Sequence, residues 1–231
     1  MRISSERINW RVAVGELVLI VLGILMALGI DSYVDDRSDA AMADAYLRDL
    51  ALELQADSAR LESRSAEVEG MIASASELLR VLDGSDEEID DLGTLLLGSL
   101  FGEGITPDPV VWEELRTTGS LRLLPDAEIR SAIVSHYLDR AARFGTIDEN
   151  FSPAVRALRG LAWDVLPVQS FTIFFQTGRP GVPDAIILAS LRDREDAEFL
   201  LKRLILTGTV ARGNIRSLVG STSRLLDRIS L

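Results

Sequence analysis

The chain contains no cysteine, one histidine (His136) and one lysine (Lys202) among its 231 residues. Without cysteine there is no disulfide framework, thiolate nucleophile or Cys-based metal site. A single histidine excludes a two-histidine zinc site, and no HExxH occurs. His136 lies between Ser135 and Tyr137 in an amphipathic stretch, where a part-buried or surface structural histidine is expected before a general base. A P-loop, a GxGxxG and a GxSxG elbow are also missing. "FGEGIT" has two glycines but no third, and no strand precedes it. The acidic "DGSDEEIDD" (83–91) lacks calcium-loop spacing and reads as a solvated turn. No cofactor, metal or small-molecule substrate is called for. The chain is expected to be non-catalytic.

What is present is negative charge and apolar sequence. Acidic residues outnumber basic ones 36 to 24, for a net charge of −12, and 47% of the residues are hydrophobic. Residues 1–30 carry Arg2, Arg7 and Arg11 against Glu6 and Glu16, a balance of +1, so the remainder carries −13. A body this acidic repels nucleic acid and anionic lipid head groups, so nucleic acid is not an expected partner.

Val12–Ile30 is a 19-residue apolar run interrupted only by Glu16. A helix of about 20 residues crosses a hydrocarbon core of about 30 Å. Trp10 and Tyr33 bracket the run, about 34 Å apart at 1.5 Å per residue, which suits two interfacial anchors. Arginines, Arg7 and Arg11 among them, precede the run; Asp31, Asp35, Asp36 and Asp39 follow it with one Arg37. The positive-inside bias therefore predicts a cytoplasmic N-terminus (1–11), a transmembrane helix (12–30) and an extracytoplasmic body (31–231). A cleaved signal peptide is the rival, with Ala27-Leu28-Gly29 as its small-residue site. The long apolar region and its internal charge favour the anchor.

Glu16 falls about 9 Å inside the Trp10 level. It snorkels to the interface, is neutralised by protonation, or meets a donor on a neighbouring helix, since intramembrane carboxylates usually face protein. Gly23 and Ala27 form a small-xxx-small pair, with Gly15 two turns earlier. Glu16, Gly15, Gly23 and Ala27 are thus the candidate contacts to a partner helix.

The body reads as an all-α bundle. Residues 31–83 form one long amphipathic helix, with Leu47, Leu54, Leu61, Val68, Ala75 and Leu82 recurring every seven residues. Leu50, Met71 and Leu78 fill the companion position, and the same series places Asp57 and Arg64 in the seam. Polar seam residues weaken an isolated coiled coil, so this helix is expected to pack against the body's other helices. Short helices follow at 89–101 and 110–118, the second closed by Gly119; between them "GEGITPDP" reads as a loop. Asp126 caps a helix whose face carries Ile129, Ile133, Tyr137, Arg140 and Phe144, and Pro153 restarts a helical stretch to about Leu166. Residues 167–183 read as irregular, a short strand or loop on the core, with Phe171, Phe174 and Phe175 as an alternative exposed patch for membrane or partner. A last helix, 195–229, carries Leu200, Leu204, Ala211, Ile215, Leu218, Leu225 and Ile229 on one side.

"GELVLIVLGILMALGIDSYVDD", "YLRDLALELQAD" and "WEELRTTGSLRLLPDAEIRSAIVSHY" together resemble a bacterial family of single-pass, mostly helical proteins, a domain of unknown function. The matching positions are Gly15-Glu16, Gly23-Ile24, Ala27-Leu28, Tyr46-Leu47, Trp112, Leu115, Gly119 and Tyr137, within roughly the first 140 residues. Gly29 and Asp31-Ser32-Tyr33 depart from the Gln and Asn-Asn-Trp usual there. The resemblance implies an architecture and no activity. The resulting expectation is a structural or interaction protein of a bacterial inner membrane, in contact with the lipid bilayer and other membrane-protein subunits. It would be an accessory subunit of a larger complex, for which a respiratory or photosynthetic assembly is one setting. A periplasmic sensor or ligand-binding module signalling through its anchor is the alternative; the eleven residues before the span leave no room for a cytoplasmic output domain.

Overall fold

The computed structural model describes residues 10–84, 91–100 and 109–230, and every regular element among them is helical. In order these are α1 (Trp10–Leu82), α2 (Leu92–Gly98), α3 (Val110–Thr118), a 3-10 turn (Ser120–Leu123), α4 (Ala127–Val165), α5 (Val168–Thr177), α6 (Asp184–Arg192) and α7 (Ala197–Ile229). The all-α expectation holds. The acidic residues 85–90 and most of "GEGITPDP" lie outside the described residues.

The apolar run and the heptad helix are one element. α1 is unbroken for 73 residues, about 110 Å at 1.5 Å per residue. No proline interrupts it, and it stops where Gly84 adopts φ 78, a left-handed conformation that glycine reaches without strain. Every residue from Val14 to Met42 is exposed; Ala43 is the first to be buried. From there the inner face follows the expected spacing, through Leu50, Leu54, Leu61, Val68, Met71, Ala75 and Leu78.

α7 packs along both α1 and α4, and paired residues fix the directions. Glu53 and Asp57 of α1 bond Tyr137 and Arg140 of α4, in the same order along both helices, so the two helices rise together. Ser221 of α7 meets His136, while Asn214 meets Arg143, so α7 descends. α7 comes close to both neighbours at Gly208, where a Cβ would lie 3.0 Å from Ile72 Cγ1 and 3.2 Å from Phe151 Cε2. A side chain there would push against Ile72 and Phe151.

Two apolar clusters fill the bundle. The lower one joins Ala43, Leu50, Leu54, Trp112, Leu124, Ile133, Tyr137 and Leu225. The larger upper one takes in Leu61, Val68, Leu96, Phe151, Leu158, Leu204 and Leu218. Between them each long helix contributes polar groups: Asp57 from α1, His136 and Arg140 from α4, Ser221 and Thr222 from α7. A polar layer thus divides the core.

Three local expectations need correction. Pro153 does not restart a helix: α4 is continuous for 39 residues with Pro153 inside it. Burial of Phe151 and Ala154 on either side outweighs the lost backbone bond. Residues 168–177, expected as strand or loop, are helical, held between Pro167 and Gly178 (φ 79). In a fold with no strand among its described residues an extended segment has no ladder to join, so its backbone bonds close within a helix. α6 was not anticipated. Pro183 precedes it, and Asp184 accepts hydrogen bonds from the Asp91 and Leu92 amides at 2.8 Å each, fastening α2 to it. Elsewhere the elements match closely: Val110–Thr118 ends at Gly119 (φ 71), and Asp126 caps α4 through the Glu128 and Ile129 amides.

Candidate functional site

The candidate partner contacts lie on the exposed arm of α1. An 18-residue window in this helix has a mean hydropathy of 2.4, and none of it is buried in the body. The arm is therefore long and apolar enough to cross a membrane. Glu16 and Ala27 are exposed on it, and a Cβ at Gly15 or Gly23 would meet nothing within 4 Å. On a helix of 3.6 residues per turn, Glu16, Gly23 and Ala27 fall within about 20° of one line. Gly15 lies about 80° away from Gly23 around the axis, on the adjoining flank. The arrangement is one narrow stripe of a carboxylate and two small residues. Of the bracketing residues, Tyr33 is exposed. Arg7 lies outside the described residues, as do the side chains of Trp10 and Arg11.

Within the body, polar chemistry concentrates in the layer between the two apolar clusters. Arg140 donates from Nε to Asp57 Oδ2 and from Nη2 to Asp57 Oδ1, both at 3.2 Å, with both side chains about nine-tenths buried. Arg140 also stacks over Phe144 at 4.8 Å. One turn below, Tyr137 donates to Glu53 Oε1 at 2.9 Å, and Glu53 Oε2 accepts the Val111 amide at 2.7 Å. Glu53 thereby caps the first turn of α3 from another helix. Trp112 of α3 stacks on Tyr137 at 4.7 Å. Burial and the adjacent Glu53 carboxylate push the Tyr137 phenol well above its ordinary range, so it stays a neutral donor. A hollow of about 240 Å³ opens beside Glu53, Asp57, Arg60 and Tyr137.

His136 shares this layer. Its Nδ1 lies 3.2 Å from Ser221 Oγ, which also donates to the Leu218 carbonyl at 2.9 Å. Its Nε2 is buried without a hydrogen-bond partner in the protein, as is Thr222 Oγ1. Burial pulls the imidazole below its ordinary value, against the raising pull of Asp57. A serine beside a histidine invites comparison with a nucleophile–base pair, but the third member is missing. Asp57 is engaged by Arg140 and Asp139 by Arg143, and no carboxylate bonds the ring. What this layer can do is hold three helices in one register.

The aromatic segment divides. Phe171 is buried and stacks on Trp163 at 4.1 Å; Phe174 is half-buried on the core. Only Phe175 of the three stands out, with Val168 and Trp163 exposed nearby in the chain. Sequence spacing had placed Asp57 and Arg140 on apolar faces of their helices, and the structure joins them. Arg64, the other seam charge, pairs with Glu67 on its own helix at 3.1 Å. Glu53 was missed: it lies just off the heptad line, and its partners come from α3 and α4. Among the described residues no His, Asp or Glu cluster is grouped to hold a metal ion.

No protein-family model matches this chain, and no curated protein or solved structure matches it significantly.

Proposed function

We propose that this chain is a non-catalytic, single-pass membrane-anchored interaction subunit. In this reading residues 12–30 cross a bacterial inner membrane with the N-terminus cytoplasmic. The acidic bundle stands in the periplasm as an accessory part of a larger complex of membrane proteins. The observation that carries it is the arm itself. A continuous helix that buries its face from Ala43 onward leaves its most apolar stretch wholly uncovered. Apolar surface on that scale requires a lipid or protein environment. The narrow Glu16–Gly23–Ala27 stripe supports a second helix as neighbour.

In this arrangement Trp163 and Phe175 lie at the end of the bundle away from the arm, with Trp163 on the order of 70 Å along the helix axes from Ile30. The anchoring bilayer is out of their reach, so a protein is the partner they fit. A sensor is the second reading. It rests on the unbroken run of α1 from the arm to the polar layer, which would carry a displacement of one to the other.

Co-purification tests the partner-helix reading. Glu16→Leu makes the arm more apolar, so insertion holds or improves. Interhelical hydrogen bonds in membranes average only about 0.6 kcal/mol, reaching about 1.7, so the expected loss of co-purified subunits is a few-fold. Gly23→Leu in the same chain deepens it. Wild-type recovery with both changes together would reduce the arm to a bare anchor.

A further inference from the structure

We infer that the groove between the start of α4 and the end of α7 is a binding site for a phosphomonoester. The hollow is about 360 Å³ and is lined by Ser135, His136, Ser221, Arg224 and Arg228. It continues into an outer hollow of about 480 Å³ that shares Ser135 and Arg228 and adds Ser131.

The argument starts from a comparison within α7. Arg212 and Arg216, spaced i and i+4, share one carboxylate: Glu69 Oε1 accepts from Arg212 at 3.0 Å and Oε2 from Arg216 at 3.2 Å. Like charges at this spacing repel on a helix face, and Glu69 removes the cost. Arg224 and Arg228 repeat the spacing without the carboxylate. The carboxylates lining the groove are Asp139, already bonded by Arg143 at 2.8 Å, and Glu128 at the outer hollow; neither ion-pairs with Arg224 or Arg228. Arg224 and Arg228 are both exposed and border one concavity, so they are available to an external anion seated in it.

The class of anion follows from the donors. Two guanidinium groups match the two negative charges of a phosphomonoester, and guanidinium forks suit its oxygens. Ser131 and Ser135 add hydroxyls from α4 on the opposing wall, which with the two guanidinium forks makes more donors than one carboxylate can use. The level of the groove separates a soluble source from a lipid head group. Counting along α1 and α7 from the Tyr137–Glu53 and His136–Ser221 contacts places Arg228 about 20 Å beyond Ile30. Head groups extend only about 5–8 Å past the hydrocarbon. The site therefore takes its phosphate from solution.

The test is calorimetric titration of the full chain, reconstituted in phosphatidylcholine nanodiscs, with inorganic phosphate as probe. Saturable 1:1 binding is expected, weakened roughly tenfold or more by Arg224→Gln or Arg228→Gln, since a hydrogen bond to a charged group contributes at least that. Arg212→Gln, which removes a neutralised arginine of the same helix, should leave binding unchanged. Circular dichroism confirms that each variant is folded. Absence of saturable binding, an equal loss in Arg212→Gln, or equal affinity for succinate overturns the assignment. Heat appearing only after phosphatidic acid replaces phosphatidylcholine, with none from soluble phosphate, overturns the soluble source.

Discussion

Arg140 of α4 and Asp57 of α1, 83 residues apart in sequence, form a two-pronged ion pair in the polar layer of the bundle. Removing one partner strands a buried charge, at about 3–5 kcal/mol. Asp57→Leu and Arg140→Met should each lower the denaturation midpoint strongly. The double variant should recover much of the loss, because a well-packed apolar replacement of a buried pair is often neutral. Equal, additive losses from the two changes would show that the pair is not coupled.

Gly208 and Gly213 make a matched comparison on α7. A side chain at Gly208 runs into Ile72 and Phe151, whereas a Cβ at Gly213 meets nothing within 4 Å. Gly208→Leu should therefore cost about 1–3 kcal/mol or more through overpacking. Gly213→Ala should stabilise by up to about 1 kcal/mol through helix propensity alone. Thermal melts of the two variants beside wild type decide it.

His136 gives the fold a pH dependence of definite sign. Its folded value lies below the ordinary 6.5 because burial disfavours the cation. As pH falls below 6.5 the unfolded chain takes up a proton before the folded chain does, so stability drops until the folded value is passed; above 6.5 the contribution is constant. Urea midpoints should fall between neutral and mildly acidic pH, and His136→Gln should flatten that segment. An unchanged slope in the variant would remove His136 as the cause.

Much of this architecture was legible in the residues. The seven-residue recurrence from Leu47 to Leu82 marked the inner face of α1, and the run from Leu200 to Ile229 marked that of α7. Asp57 and Arg140 each stood out as a charge on an apolar face. Their union was not legible, because it depends on the relative rise of two helices separated by 83 residues. Pro153 misled because local backbone chemistry argues for a break, while the packing that overrides it comes from distant chain. Residues 168–177 misled for the reverse reason: β-branched and aromatic residues favour a strand, but only where another strand can pair. The cluster around Glu53 escaped because α3 and α4 supply its donors. The Glu16 stripe was legible in the spacing, except that Gly15 lies off its line.

Topology tests the central claim most directly. A reporter that works only outside the cytoplasm, fused after Leu231, should be active, because the arginines precede the apolar arm and the aspartates follow it. The matching cytoplasmic reporter should be silent, and alkaline carbonate should leave the chain in the membrane pellet. Activity of the cytoplasmic fusion, or release of the chain by carbonate, would contradict the account.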